Sequence, residues 1–126
     1  MVQARAARLS TVRPDGHPHI VVINFALDGA TIVTAIDHNP KTTTALQRLK
    51  NIEAHPVVSI LIDHYEDDWS RAWWVRADGT AKIESEGAPR AQAIELLADN
   101  YAPYRQRPPC GPVIAVTVDR SASWSA

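Results

Sequence analysis

Two Asp-Gly pairs, each between runs rich in apolar residues, constrain the fold of this chain more than any other feature. Asp15-Gly16 follows the run 7–12, and Asp28-Gly29 separates the runs 19–27 and 31–36. Glycine adopts positive φ at little energetic cost, so Asp-Gly between β-branched runs is typical of a tight hairpin turn. The first part of the chain is therefore predicted to be a meander of three antiparallel strands.

The spacing of apolar residues then changes from that of a strand to that of a helix. Between residues 41 and 55 they recur every three or four positions, which predicts an amphipathic helix. Asn39 suits the N-cap, Pro40 suits the first helical position, and Pro56 ends the pattern. A second helix is predicted over 88–100.

The rest of the chain alternates between strands and loops. Further strands are predicted over 57–63, 72–83 and 113–118, with a bulge at Gly79 and a loop over 101–112. About six strands and two helices without a βαβ rhythm predict a mainly β fold, in which a closed or split antiparallel barrel hides the strand edges. We expect a single domain spanning residues 1–126.

Charge and composition exclude several classes of partner. The chain has a net charge of −1, so no basic field indicates a nucleic-acid or anionic-membrane partner. No apolar run has the length of a membrane span, and no secretory signal is recognisable at the start. Cys110 is the single cysteine, which precludes an internal disulfide and fits a cytoplasmic setting. A reactive thiol is the alternative interpretation of Cys110.

Familiar catalytic motifs are absent from the sequence. There is no dinucleotide-binding glycine fingerprint, no Walker A loop and no G-x-S-x-G elbow. His17 and His19 are two residues apart and would share one side of a strand, but a solvated hairpin shoulder explains them better than a metal pair. We therefore predict no metal site, and no catalytic side chain can be assigned.

One polar row on the first predicted helix has the composition of an anion-binding site. Lys41, Thr44, Arg48 and Asn51 are spaced three, four and three residues apart, and Lys50 flanks the same region. That spacing puts them along one helix face, beside the free N–H groups of the helix start. Cations, a hydroxyl and an amide in a row suit a phosphate group. The alternative is an ordinary solvated helix face.

Aromatic residues cluster in the second half of the chain. Tyr65, Trp69, Trp73 and Trp74 lie close together, and the two adjacent tryptophans fall on a predicted strand. Adjacent strand residues point to opposite faces, so one tryptophan can join the core while the other faces a ligand or a partner chain. Core packing with one exposed tryptophan is the alternative.

The order of these segments resembles that of a known family, the pyridoxamine-phosphate-oxidase-like split barrels. Residues 7–12 followed by 14–19 resemble the opening hairpin of that family, and 48–52 followed by 55–61 resemble its helix-then-strand signature. The segment 63–81, with Asp68-Trp69-Ser70 inside it, is especially similar to the actinobacterial branch that uses a deazaflavin.

The resemblance implies a six-stranded antiparallel split β-barrel that forms a homodimer, with a cofactor in a cleft shared by two chains. The cofactor-binding residues it implies are Arg48, Lys50 and Asn51 at the phosphate, Lys41 and Thr44 assisting there or at an acidic tail, Val22 along the ring, and Trp69 and Ser70 near the dimer seam.

The sequence departs from the family at two places. Flavin-using members often carry a Ser-Arg-Lys-like triplet after the third strand, whereas residues 37–41 read Asp-His-Asn-Pro-Lys. This difference favours the deazaflavin coenzyme F-420 over FMN. Many relatives also have a helix before the first strand, where this chain has only residues 1–6.

The activity implied is transfer of a hydride between coenzyme F-420 and a conjugated small-molecule substrate. A cofactor of this kind supplies the difficult chemistry, which agrees with the missing catalytic motifs. The alternatives are an FMN-dependent enzyme of the same family, a carrier that binds the cofactor without turnover, and a dimeric scaffold without cofactor.

Overall fold

A computed structural model describes residues 6–36 and 43–126, of which residues 43–46 are described by their backbone only. The described residues are mainly β, with seven strands, three α-helices and a single 3-10 turn at Trp69–Arg71. In chain order the elements are β1 Ala7–Val12, β2 Pro18–Ile23, β3 Ala26–Asp28, β4 Thr31–Ala35, α1 Thr43–Ala54, β5 Val57–His64, β6 Trp73–Glu84, α2 Ala88–Asn100, α3 Ala102–Gln106 and β7 Val113–Ser125.

All seven strands belong to one antiparallel sheet, in the order β2-β1-β5-β6-β7-β4-β3. The two edge strands, β2 and β3, are joined by only Asn24 and Phe25. So short a link between opposite edges requires the sheet to curl until its edges meet, which is the geometry of a split barrel. The predicted class is confirmed, with seven strands in place of six and three helices in place of two.

The predicted three-strand meander is wrong, because the run 19–27 does not form one strand. β2 pairs with β1, whereas β3 pairs with β4 at the far side of the sheet. The backbone N–H of Phe25 donates to Tyr101 Oη at 3.0 Å, and the Asn100 amide donates to the Phe25 carbonyl at 3.4 Å. These bonds take the backbone at Phe25 out of the strand ladder, so the chain turns there from one edge to the other.

Two apolar clusters lie on opposite sides of the sheet. The inward side chains of the strands fill the barrel, and Ile52 of α1 joins them in what we call the barrel core, with Leu9, Ile60 and Ile114 fully buried. On the other side, α2 and α3 cover β3, β4 and the start of β7 with a second cluster around Leu97. The barrel core is the one that positions α1 against the first hairpin.

The last strand is longer than the sequence predicts. β7 runs to Ser125 and pairs with the whole of β6, so the tail 121–124 is part of the sheet. The register shifts between Asp78 and Gly79, which confirms the predicted bulge. A Cβ atom at Gly79 would lie 2.3 Å from the Thr117 carbonyl oxygen, so the two strands approach too closely there for any side chain.

Several local predictions are confirmed residue by residue. β1 and α2 have the predicted bounds, and Gly16 and Gly29 adopt positive φ in the two Asp-Gly turns. Helix α3 lies inside the predicted loop 101–112, where Tyr104 inserts into the second cluster. Among the described residues, no helix has both the length and the apolar character needed to cross a membrane.

Candidate functional site

The polar side of α1 packs against the first hairpin. Thr11 of β1 and His19 of β2 are cross-strand partners, so their side chains lie on the same face of the sheet. That face is the inner one, because Thr11 is buried and its hydroxyl oxygen accepts a 3.0 Å hydrogen bond from the Asn51 amide. The hairpin and α1 therefore enclose a small polar region at one end of the barrel.

Asn51 lies in the interior and not at a surface where a phosphate could reach it. Its side chain is fully buried; besides donating to Thr11, it accepts a 2.7 Å hydrogen bond from Gln47 Nε2. Both ends of the amide are therefore engaged within the protein. The structure gives Asn51 a role in docking α1, in place of the predicted contact with a cofactor.

Arg48 lies one turn before Asn51 and is half-buried on the same side of α1. Its charge acts on His19, as does that of Arg13 in the hairpin turn. Burial, followed by the positive charges of Arg13 and Arg48, lowers the pKa of the His19 imidazole. We call this group of Arg13, His19 and Arg48 the hairpin–helix site.

Neither Arg13 nor His19 is among the phosphate ligands that the sequence predicts. The sequence pairs His19 with His17, but His17 precedes β2 and is exposed, with its Nδ1 3.0 Å from Asp15 Oδ1. The Nδ1 atom of His19 is buried and has no hydrogen-bond partner in the part of the chain that the structure describes. Nor do three or more His, Cys, Asp or Glu side chains of that part form a group that could hold a metal ion. The sequence alone does not show that the His19 side chain points into the barrel, because that orientation depends on the residue at which β2 begins.

Among the other predicted phosphate ligands, the structure describes only the side chain of Lys50, and it lies outside this site. Lys50 is exposed, and its position two residues after Arg48 puts it about 200° round the helix axis. Thr44 lies in the first turn of α1, but its side chain and the whole of Lys41 lie outside what the structure describes. Among the described side chains of the predicted row, Arg48 and Asn51 lie on the same side of α1.

Val22 projects from the opposite side of β2. Its side chain is 65% exposed, as is that of Ile20, and both lie on what we call the outer face, the solvent side of β2, β1, β5 and β6. A row across this face runs from Val22 through Arg8 and Leu61 to Arg76. Val22 can therefore meet a ligand of the hairpin–helix site through its backbone only.

The backbone of β2 is open on one side. In the described sheet β2 is an edge strand with β1 as its neighbour, so the backbone groups along its other edge have no strand to pair with. This edge adjoins the side chain of His19. This edge offers backbone N–H donors and C=O acceptors in a row, and a planar heterocycle with acceptors and donors on its rim can form hydrogen bonds with them.

The two adjacent tryptophans point to opposite faces, as predicted. Trp73 packs against the barrel core and stacks on His64 with ring centroids 6.3 Å apart. Trp74 lies on the outer face, where it pairs across strands with Trp124. It also lines an open hollow of about 290 Å³ with Leu61, Asp63, Tyr65 and Arg76.

Trp69 and Ser70 lie in the β5–β6 connection. Trp69 is 75% exposed, while the Ser70 hydroxyl donates a 2.6 Å hydrogen bond to Asp68. Leu9 pairs with Ile60 in an antiparallel register, so this connection follows the end of β5 farthest from the hairpin turn. Within one chain, Trp69 and the hairpin–helix site therefore lie at opposite ends of these strands.

The charged groups of the outer face are paired with one another. Arg8 lies 2.6 Å from Asp63, and Asp78 accepts a 2.7 Å hydrogen bond from Ser59. That bond, with the nearby charges of Arg76 and Arg120, holds the pKa of Asp78 below its usual value. Apolar side chains and internally paired charges therefore make up this face.

Comparison with solved structures supports the split-barrel architecture. A conserved hypothetical protein of Mycobacterium tuberculosis superposes with a TM-score of 0.79 at 21% identity, over 98% of this chain and 78% of that one. The heme storage protein HutZ of Vibrio cholerae gives 0.76 at 16%, over 98% and 87%. A candidate pyridoxamine 5'-phosphate oxidase of Listeria innocua gives 0.70 at 18%, over 99% and 92%.

These identities establish the common fold alone. No functionally curated protein has a sequence that matches this chain significantly. The family model of pyridoxamine 5'-phosphate oxidase, in contrast, matches residues 2–125, nearly the whole chain. The chain therefore belongs to the pyridoxamine 5'-phosphate oxidase family.

Proposed function

We propose that this protein is a homodimeric oxidoreductase that holds the phosphate of a flavin-type cofactor at the hairpin–helix site. The observation that carries the proposal is the buried Nδ1 atom of His19, which lies on the inner face of β2 with no hydrogen-bond partner among the described residues. The charges of Arg13 and Arg48 act on this half-buried ring. Burial, followed by these two positive charges, lowers the pKa of His19, and the charges place the ring in a region of positive potential. Such a region favours an anion and disfavours a cation.

The donor set suits a phosphate monoester. A guanidinium binds phosphate oxygens through paired N–H donors, and partial burial strengthens each such bond relative to bulk water. The buried Nδ1 of His19 is a further polar atom with no hydrogen-bond partner among the described residues. These features support a cofactor phosphate at this point.

The free edge of β2 supports the position of the ring system. The unpaired backbone groups of β2 and the side chain of His19 belong to the same strand, so one ligand can contact the strand edge and the imidazole together. The predicted role of Val22 along the ring is compatible with this arrangement through its backbone. The family match makes FMN the reference cofactor, and residues 37–41 favour coenzyme F-420 in the sequence.

The outer face supports a second copy of the chain as the partner. Ile20 and Val22 expose 65% of their surface on a strand whose other face carries His19. A partner that covers these residues would lie next to the cofactor edge, which makes the cleft a shared one. A two-fold arrangement could also bring Trp69 of the partner to the site, since Trp69 of the same chain follows the far end of β5.

In the proposed reaction the bound cofactor supplies a hydride, in its reduced form, to a conjugated small molecule. The residues of this chain anchor the phosphate, fix the ring against the β2 edge and exclude water from the cleft. A carrier that binds the cofactor without turnover would use the same residues. The proposal therefore needs one test of binding and one of turnover.

Binding is tested by titrating the protein with FMN, coenzyme F-420 and, because HutZ is a heme storage protein, hemin. Arg48→Ala should weaken binding of FMN or F-420 by roughly tenfold or more, the loss expected for a charge-assisted contact of about 1.5 kcal/mol or more. Arg105→Ala, which removes an exposed guanidinium on α3, is the matched control. Equal affinity of the two variants would refute the phosphate site.

Turnover is tested with the reduced cofactor bound and an enone added as hydride acceptor. Oxidation faster than that of the free cofactor, and lost in Arg48→Ala, supports an enzyme. Oxidation at the rate of the free cofactor identifies a carrier.

A further inference from the structure

We infer that His19 contacts the bound anion directly and takes up a proton as the anion binds. The inference rests on the proposed function and adds a specific property to it: the site gains affinity as the pH falls. Neither the predicted phosphate row nor the family match assigns a role to this residue.

The first step is the position of the ring. His19 lies on the inner side of β2, cross-strand from Thr11, on the side that α1 covers. Its buried Nδ1 has no hydrogen-bond partner among the described residues, and leaving a buried nitrogen without one is unfavourable. A ligand that accepts a hydrogen bond from this nitrogen, once the ring is protonated, would remove that unfavourable state.

The second step is the charge around the ring. Among the described residues, the charged groups that act on His19 are Arg13 in the turn after β1 and Arg48 on α1. Both are cations, while Thr11 and Asn51, the polar groups nearest along the same face, are neutral. Burial and these cations lower the pKa of His19 from its usual 6.5, so the free protein holds a neutral imidazole at neutral pH.

The third step is the effect of an anion. A phosphate monoester brings a charge of about −1.5 to −2, which offsets the two guanidinium charges. The protonated imidazole is then favoured, since it gains a charge-assisted bond and has two N–H donors where the neutral ring has one. Anion binding therefore raises the pKa of His19.

The sign of the pH effect follows from linkage. Between the lower pKa of the free protein and the higher pKa of the complex, binding takes up a proton, so affinity rises as the pH falls through that window. Above the window the ring stays neutral in both states and affinity is constant. Each unit by which the two pKa values differ corresponds to a tenfold change in affinity.

The experiment measures FMN affinity at about pH 5.5 and about pH 8 for the natural protein, His19→Gln and His17→Gln. Glutamine keeps a polar side chain but cannot take up a proton near neutral pH. FMN itself titrates near pH 6, so the informative quantity is the ratio of affinities between variant and natural protein. We expect His19→Gln to bind about threefold to tenfold more weakly at the lower pH, with a smaller deficit at the higher pH. His17→Gln should match the natural protein at both.

A second arm uses sulfate, which stays doubly charged across this range, and follows the imidazole signals by NMR. The signal lost in His19→Gln identifies His19, and its midpoint should move upward when sulfate is added. A His17 midpoint that moves equally would indicate general screening and overturn the inference.

Failure of this inference and failure of the proposed function are distinguishable. FMN binding with a pH-independent ratio and an unmoved His19 midpoint overturns proton uptake but leaves the cofactor site intact. Absence of FMN and F-420 binding, together with no sulfate effect on His19, overturns both.

Discussion

The side-chain amide of Asn51 donates a 3.0 Å hydrogen bond to the hydroxyl oxygen of Thr11, and both side chains are buried. This bond fastens α1 to the first hairpin, on the face that also carries His19 and Arg48. It explains how Arg48 and Asn51 are kept on the barrel side of α1 instead of in solvent. The geometry of the candidate site therefore depends on this contact.

Asn51→Ala should lower the free energy of unfolding by about 2 kcal/mol, since Thr11 and Gln47 both lose their partner in a buried place. Urea denaturation followed by tryptophan fluorescence measures the change. Lys50→Ala, the exposed neighbour on the same helix, should change stability by no more than about 0.5 kcal/mol. Equal effects of the two variants would show that the buried bond contributes little.

Gly79→Ala should destabilise the protein by about 3 kcal/mol or more, because the new methyl group would lie 2.3 Å from the Thr117 carbonyl oxygen. The nearest atom belongs to the backbone and not to a flexible side chain, so β6 or β7 must move to admit the methyl group. Thermal unfolding is the measurement, with the exposed Lys82→Ala on the same strand as control. An unchanged melting temperature for Gly79→Ala would contradict the close approach at the bulge.

As the pH is lowered, the free energy of unfolding of the ligand-free protein should decrease more steeply in the natural protein than in His19→Gln. The pKa of His19 is lowered in the folded state, so the unfolded chain binds a proton first as the pH falls below about 6.5. Stability is therefore full above that value and decreases until the folded-state pKa is reached. Urea midpoints between about pH 7.5 and 5 test this; parallel curves for the two proteins would exclude a depressed pKa at His19.

Local sequence signals predicted those elements that depend on local interactions. The bounds of β1 and α2 follow from apolar periodicity, and the turns at Gly16 and Gly29 follow from the need for positive φ. Gly79 was recognised as a bulge because a glycine inside a strand pattern marks a close backbone approach. In each case the residues that carry the signal lie within a few positions of one another, even at Gly79, where the contact itself is with Thr117 on a distant strand.

The features that the sequence does not predict depend on contacts between residues far apart in the chain. The break at Phe25 depends on a hydrogen bond to Tyr101, 76 positions away, and the tail becomes a strand because β6 is long enough to pair with it. The same holds for the site. Helix spacing predicts Arg48, whereas the role of His19 depends on how α1 packs on the inner face of β1, the neighbour of β2, where the Asn51 amide bonds to Thr11.

Asp78 should make stability sensitive to acid. A hydrogen bond from Ser59, followed by the charges of Arg76 and Arg120, lowers its pKa below the usual 3.8. Stability from this source is full above the unfolded-state value and is lost as the pH falls through the folded-state pKa. The loss between about pH 4 and 2 should be smaller in Asp78→Asn and in Ser59→Ala. Asp67→Asn, on an exposed loop, should follow the natural protein; if it also flattens the curve, the effect is not specific to Asp78.

Val22→Asp should convert the proposed dimer to a monomer and weaken the cofactor site. A carboxylate placed at a residue that is 65% exposed in the single chain disturbs folding little, but it would be desolvated beneath a partner, and the cross-strand cation Arg8 is already paired with Asp63. Analytical ultracentrifugation should give the mass of two chains for the natural protein and of one for the variant. FMN affinity should fall by about tenfold or more in the variant, since a shared cleft loses one wall. Ala91→Asp, exposed on α2, should change neither quantity. A monomeric variant that keeps full FMN affinity would show that the hairpin–helix site is complete within one chain and that Trp69 of the partner has no part in it.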